Sequence, residues 1–109
     1  MSTISTHVLD AVMGKPAAGI LLHLERLTEA GWVLACEGVT DIDGRCRGML
    51  ANAGEGFYRL TFLVAAYFES NSRTSIYPEI AISFRIDGVQ NYHLPLLLSD
   101  NSYTTYRGS

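Results

Sequence analysis

The sequence predicts an all-β sandwich with one short helix, and three observations carry that expectation. Residues 79–87 alternate strictly: Ile80, Ile82, Phe84 and Ile86 fall on one face, and Glu79, Ala81, Ser83, Arg85 and Asp87 on the other. That is the pattern of a sheet with one dry side. Similar strand signals recur at short spacing along the chain, with Gly, Pro and Asp turns between them. The chain closes on Thr105-Tyr106-Arg107-Gly108-Ser109, and Thr, Tyr and Arg favour strands or specific polar contacts. A terminus of that kind is expected to be pinned rather than frayed.

In chain order, strands are expected over residues 4–11, 18–27, 32–39 and 57–64. In the second of these, Ile20, Leu22 and Leu24 alternate with Leu21, His23 and Glu25; in the fourth, Tyr58, Leu60, Phe62 and Val64 alternate with Phe57, Arg59 and Thr61. Turns are marked by Gly14-Lys15-Pro16, Glu29-Ala30-Gly31, Asp43-Gly44 and Asp87-Gly88. Residues 47–56 are rich in Gly and Ala and are expected to hold only a short edge strand. Ala65-Ala66-Tyr67-Phe68-Glu69-Ser70 carries helix formers and reads as one or two helical turns. Pro78 opens the strand at 79–87, where its missing N–H does least harm. The last eighteen residues read as two strands joined by the polar turn Ser99-Asp100-Asn101-Ser102. About seven or eight short antiparallel strands with one helix make a β-sandwich.

At 109 residues the chain is expected to form one domain spanning residues 1–109. Hydrophobic residues make up 48% and charged residues 17%, which excludes a disordered chain and points to much buried surface or an oligomer. The formal net charge is −3 and Lys15 is the one lysine, so no basic patch invites nucleic acid. Arg45, Arg47 and Arg107 stand apart, which suits a small anionic ligand better than a polyanion. The first residues lack the basic start and apolar stretch of a signal peptide, and no apolar run is long enough to cross a bilayer. A cytoplasmic protein without membrane contact is the expectation, and a peroxisomal one stays open although there is no C-terminal Ser-Lys-Leu address. In that setting Cys36 and Cys46 are read as free, buried thiols.

Two histidines share an unusual placement. His7 lies mid-strand beside Leu9, with Val8 on the opposite face. His93 shares its face with Pro95 and Leu97, while Tyr92, Leu94, Leu96 and Leu98 take the core side. Either histidine alone would be an ordinary surface or interface residue. Together, on outward faces that also carry aliphatics, they mark a surface that another subunit covers. Such an imidazole can be poised near neutrality as a base. His23, beside Arg26 and without a partner motif, is read as a surface histidine. The three histidines and two cysteines have no metal-ligand spacing, so no metal is expected. Asp43-Gly44-Arg45 alone is a common tight turn. There is no Gly-x-Ser-x-Gly elbow, and Gly54-Glu55-Gly56 lacks the lysine and following helix of a phosphate loop. For an enzyme, water activated by a base is the simplest mechanism left.

Several segments together carry a family resemblance: Ser5-Thr6-His7-Val8-Leu9-Asp10 with Gly14-Lys15-Pro16-Ala17; Thr40-Asp41-Ile42-Asp43-Gly44-Arg45; Tyr58-Arg59-Leu60-Thr61-Phe62 with Ala66-Tyr67-Phe68; Tyr77-Pro78-Glu79; Tyr92-His93-Leu94-Pro95-Leu96-Leu97-Leu98-Ser99; and the terminal Tyr106-Arg107-Gly108-Ser109. From Ile4 to Ser109 the chain resembles the 5-hydroxyisourate hydrolases, transthyretin-related enzymes of urate breakdown. The terminal tetrapeptide is the most specific part, because it separates the hydrolases from hormone-carrying transthyretins of the same fold.

The resemblance implies a transthyretin-like (prealbumin-like) sandwich of two four-stranded antiparallel sheets with one short helix. It implies a homotetramer, a dimer of dimers, whose central channel is lined by the outward faces of the first and last two strands. The implied reaction is hydrolysis of 5-hydroxyisourate to 2-oxo-4-hydroxy-4-carboxy-5-ureidoimidazoline, with no cofactor. His7, Arg45, His93 and Ser109 take the catalytic roles by resemblance, and His7, Arg45, Tyr106, Arg107 and Gly108 the substrate-binding ones; either histidine can serve as the base. Asp100-Asn101 stands where the family often has Pro-Tyr, which alters turn stiffness. Leu63-Val64 stands where Asp-Thr is usual, which bears on the start of the helix. The competing reading is a carrier whose channel holds an apolar ligand unchanged, and it calls for small or apolar side chains at several of His7, His93 and Tyr106. A third, an adhesive sandwich domain, calls for a plainly charged outer face.

Overall fold

Alternation of buried and half-buried side chains runs the whole length of the first strand, β1 (Ser2–Asp10). Ile4, Thr6, Val8 and Asp10 turn inward, and Thr3, Ser5, His7 and Leu9 form the other face. The computed structural model describes residues 2–88 and 90–108. The remaining elements are β2 (Lys15–Pro16), β3 (Leu21–Thr28), β4 (Gly31–Val39), β5 (Arg45–Ala53), β6 (Gly56–Leu63), α1 (Ala65–Ser70), β7 (Ile80–Ile86), β8 (Asn91–Leu98) and β9 (Tyr103–Thr105). One sheet runs β5–β1–β8–β9, with β2 continuing the β5 edge along the end of β1; the other runs β4–β3–β6–β7. Two four-stranded sheets and one short helix are the expected architecture, with one pairing of different sense. β1 and β8 run parallel, from Thr3 opposite Asn91 to Asp10 opposite Leu98. A parallel pair needs a long crossover, and here the crossover is the entire second sheet with its helix.

The core lies between the sheets. Leu22, Leu24, Tyr58, Leu60 and Phe62 from the second sheet meet Ile4, Val8, Leu94, Leu96 and Leu98 from the first, all buried. Burying a side chain of this size is worth roughly 1.5–3 kcal/mol, so these residues dominate the folding free energy. Tyr67 and Phe68 of α1 close the end of the core. Val64 caps the helix without a side-chain hydrogen bond and is itself buried, so apolar burial replaces a polar cap at the helix start. No helix among the described residues is long and apolar enough to cross a membrane.

Two segments depart from the sequence expectation. Residues 47–56 do not hold a mere edge fragment: β5 covers nine residues and pairs with β1 from Ser2 opposite Ala53 to His7 opposite Arg45. The register shifts between Ser2 and Ile4 and between Ile4 and Thr6 absorb the surplus residues, with Gly48 in the left-handed region at φ 58°. A bulged strand tolerates the small residues that made this segment look weak. The strand expected over 18–27 begins only at Leu21, because Gly19 turns at φ 81°. Buried Thr40 ties that turn down, accepting from the Ile20 N–H at 2.9 Å and donating to the Ala17 carbonyl at 2.8 Å.

Beneath α1, buried Asp10 accepts hydrogen bonds from Arg73 and from the Tyr67 hydroxyl at 2.7 Å. Arg73 also donates to Asp100 at 2.6 and 2.8 Å, and the Ile76 N–H donates to Asn101 at 3.1 Å. The Asp100-Asn101 turn is therefore held by polar contacts where a proline would supply stiffness. Cys36 and Cys46 are free and half-buried, and burial pushes both thiols up from their ordinary pKa.

Candidate active site

The outer face of the first sheet gathers the polar residues singled out above. Ser5 lies opposite His93 and His7 opposite Pro95 across the parallel β1–β8 pair. On the other side of β1, His7 lies opposite Arg45. Neighbouring strands are about 4.8 Å apart, so these side chains project as one group.

The turn before β5 aims Arg45. The Asp41 carboxylate accepts from the backbone N–H of Asp43 at 2.9 Å and of Arg45 at 3.0 Å, an arrangement typical of Asx turns. Gly44, at φ 75°, is pressed against β1: a Cβ there would lie 2.3 Å from the Val8 carbonyl oxygen. Its own carbonyl accepts from the Val8 N–H at 2.7 Å. The same turn offers the Asp43 carbonyl to His7, whose Nε2 lies 2.8 Å away. A carbonyl oxygen only accepts, so Nε2 carries a hydrogen and Nδ1 is the open nitrogen of neutral His7.

His93 is gripped at two edges. Its Nδ1 is 2.9 Å from Ser5 Oγ. Gly108 packs against the opposite edge, where a Cβ would lie 2.7 Å from His93 Cδ2 and 3.2 Å from Pro95 Cγ. Burial, then the neighbouring His7, then the Arg45 charge lower the His93 pKa from its ordinary value. The ring is thereby biased to its neutral, proton-accepting form.

A cleft of about 400 Å³ opens beside this group, lined by Thr3, Ser5, Arg45, Arg47, Asn91 and His93. Thr3 donates to Asn91 Oδ1 at 2.6 Å, which fixes the amide oxygen on the Thr3 side. Two guanidiniums, an amide and an imidazole suit a planar ligand rich in carbonyl oxygens. A hollow of about 270 Å³ beside α1 is less apt for chemistry, since its one guanidinium, Arg73, is already committed to Asp10 and Asp100.

The residues named from sequence are not all brought together. His7, Arg45, His93 and Gly108 converge. Tyr106, 54% exposed, follows β9 on the way to the cluster. Arg107 holds the start of β8: its guanidinium sits 4.4 Å over the Tyr92 ring and donates to Gln90 at 2.8 Å and to the Asn91 carbonyl at 3.4 Å. Ser109 lies outside the described residues. His23 is on the other sheet, 3.4 Å from Glu37, as a surface histidine. Sequence reasoning did not single out Ser5, Thr3 and Asn91, although Ser5 and Thr3 share the alternating face of His7. Among the described residues no three His, Cys, Asp or Glu side chains gather closely enough to hold a metal ion.

A two-sheet sandwich of this topology, with paired imidazoles and a guanidinium on its outer face, defines a transthyretin-type fold carrying a polar site. The family model described as "HIUase/Transthyretin family" matches residues 4–108, and the chain belongs to that family. It is 42% identical to the 5-hydroxyisourate hydrolase of Salmonella typhimurium, over 97% of this chain and 80% of that protein. The structure of Klebsiella pneumoniae 5-hydroxyisourate hydrolase superposes with a TM-score of 0.88 at 36% identity, covering all of both chains (100% of each). Transthyretin from Sparus aurata superposes with a TM-score of 0.92 at 32% identity, covering 97% of this chain and 96% of that one.

Proposed function

We propose that this protein hydrolyses 5-hydroxyisourate to the ring-opened carboxylate, in urate breakdown, without a cofactor. The observation that carries the reading is the convergence of His7, Arg45 and His93 on one face, with the carboxy-terminal Gly108 packed on the His93 ring. The overlap of backbones does not separate enzyme from carrier, since a transthyretin superposes as well as a hydrolase does. The side chains do. A carrier of apolar ligands gains nothing from two imidazoles and a guanidinium, whose desolvation would oppose binding.

In the proposed reaction a histidine takes a proton from water as the water oxygen bonds to the ring amide carbon. Arg45 holds the carbonyl oxygen and stabilises the negative charge that develops there. The C–N bond then breaks, and the imidazolium returns its proton to the departing nitrogen. One water is consumed, and a carboxyl group and an N–H are formed. Acid–base assistance of this type is worth roughly 10²–10⁴-fold, and an oxyanion contact roughly 10²–10³-fold. Tyr106 positions the ring, and Arg107 and Ser109 complete the polar wall in the assembled protein. That assembly is a homotetramer, whose neighbouring copies cover the half-buried Leu9 and Leu97 and keep bulk water from the site.

The test is spectrophotometric. Added to urate undergoing oxidation by urate oxidase, the protein should speed the loss of the intermediate's absorbance. His7→Ala and Arg45→Ala should each lower that rate by about 100-fold or more while sedimenting like the parent. Full activity in both variants would refute the assignment.

A further inference from the structure

We propose that Ser5 is a positioning residue for His93, holding the imidazole so that Nε2 is the nitrogen that works in the cleft. The inference rests on the hydrolase reading for its catalytic consequence, but the contact itself stands independently of any substrate. Ser5 and His93 are direct neighbours across the parallel β1–β8 pair, although 88 residues separate them in sequence. Oγ lies 2.9 Å from Nδ1, and both side chains are half-buried beside the cleft. Gly108 closes the Cδ2 edge of the ring, so rotation about the side chain is blocked on that side.

A neutral imidazole has one N–H, and the partner at one nitrogen decides what the other can do. When Nδ1–H donates to Ser5 Oγ, Nε2 presents a lone pair and can accept a proton from water. Once Nε2 is protonated, Nδ1–H still donates to the same oxygen. The hydroxyl therefore serves both protonation states with no movement of heavy atoms, because its oxygen accepts from Nδ1–H in each. A carboxylate in its place would stabilise the imidazolium and oppose the low basicity that burial, His7 and Arg45 impose. The complementary arrangement at His7, where Nε2–H is spent on the Asp43 carbonyl, makes His93 the residue of the pair that offers Nε2. Among the described residues, the charged and titratable groups that act on His93 are His7 and Arg45.

The first test needs neither a variant nor substrate. Ring nitrogen shifts of His93 in the ¹⁵N-labelled protein, at a pH where the ring is neutral, should show hydrogen on Nδ1 and a bare Nε2. Hydrogen on Nε2 would overturn the proposal. Ser5→Ala should redistribute that hydrogen between the nitrogens and lower kcat by about 10- to 100-fold, as loss of a ligand-orienting partner commonly does, with KM changed less than about twofold. Ser5→Thr, which keeps the hydroxyl, should return kcat to within about threefold of the parent. Unchanged ring shifts and kcat in Ser5→Ala would also overturn it. Should the parent fail to hydrolyse 5-hydroxyisourate, the function proposed above falls, while the nitrogen shifts still decide the Ser5–His93 contact.

Discussion

The backbone N–H of Gly108 donates to the His93 carbonyl at 2.7 Å, and the bare Cα of the same glycine faces the His93 imidazole. The end of the chain is thus hydrogen-bonded to the strand that bears a candidate catalytic residue and shaped to fit its side chain. Glycine is needed there for space: any Cβ would stand 2.7 Å from the ring, closer than carbon atoms approach without contact.

Gly108→Ala should therefore displace either the tail or the ring. We expect kcat/KM to fall by about tenfold or more, because small misplacements of a reacting group are costly. The melting temperature should hardly change, since no core residue moves. Steady-state kinetics alongside thermal melts decide it, and wild-type kcat/KM would show that the tail packing is irrelevant to activity.

A bulky extension after Ser109 should impair hydrolysis more than the same extension before Met1. The reason is the bridge between Gly108 and His93, which leaves the tail little freedom to move away. Parallel assays of the two tagged proteins make the comparison; equal tolerance would count against a pinned terminus.

The buried Asp10 should set an acid limit on stability. Burial opposes its ionisation, yet hydrogen bonds from Arg73, the Met13 N–H and Tyr67, with the Arg73 charge, outweigh it and hold the pKa at about 2. Because the folded value lies below the unfolded value of about 4, the stabilisation is complete above pH ~4 and is lost as pH falls toward 2. Asp10→Asn should cost about 3 kcal/mol near neutrality, by leaving Arg73 without its buried partner, and should flatten the decline in acid. Urea unfolding across pH 2–7 measures both. The Tyr67 phenol, pushed up to about 12 by burial and by Asp10, stays protonated throughout.

His93 should titrate below the ordinary histidine value of about 6.5. Its neutral form is favoured by folding, so protonation costs stability as pH drops from the unfolded value through the folded one. If neutral His93 is the base, the acid limb of the rate profile lies below pH 6.5 as well. Arg45→Gln should raise the His93 pKa, as read by NMR titration, by removing one neighbouring charge. An unshifted midpoint would show that the two residues do not sense each other.

Much of this protein was legible locally. Inward and outward faces of β1, β3, β6, β7 and β8 follow from period-two alternation, and the helix over Ala65–Ser70 from its residue types. β5 was harder to read, because its Gly and Ala residues carry weak strand preference and its extent comes from pairing with β1. The contacts of Arg107 with Tyr92 and Gln90 were hidden for a related reason: they depend on where β8 begins, which tail composition does not encode.

The amino-acid order alone determined that His7 and His93 look out from the sandwich, since the direction of a side chain on a strand is a local property. Only the folded arrangement decided that they are neighbours. Parallel docking of β1 on β8 joins residues 88 positions apart, and such pairing depends on backbone hydrogen bonds between distant segments, which no local pattern records.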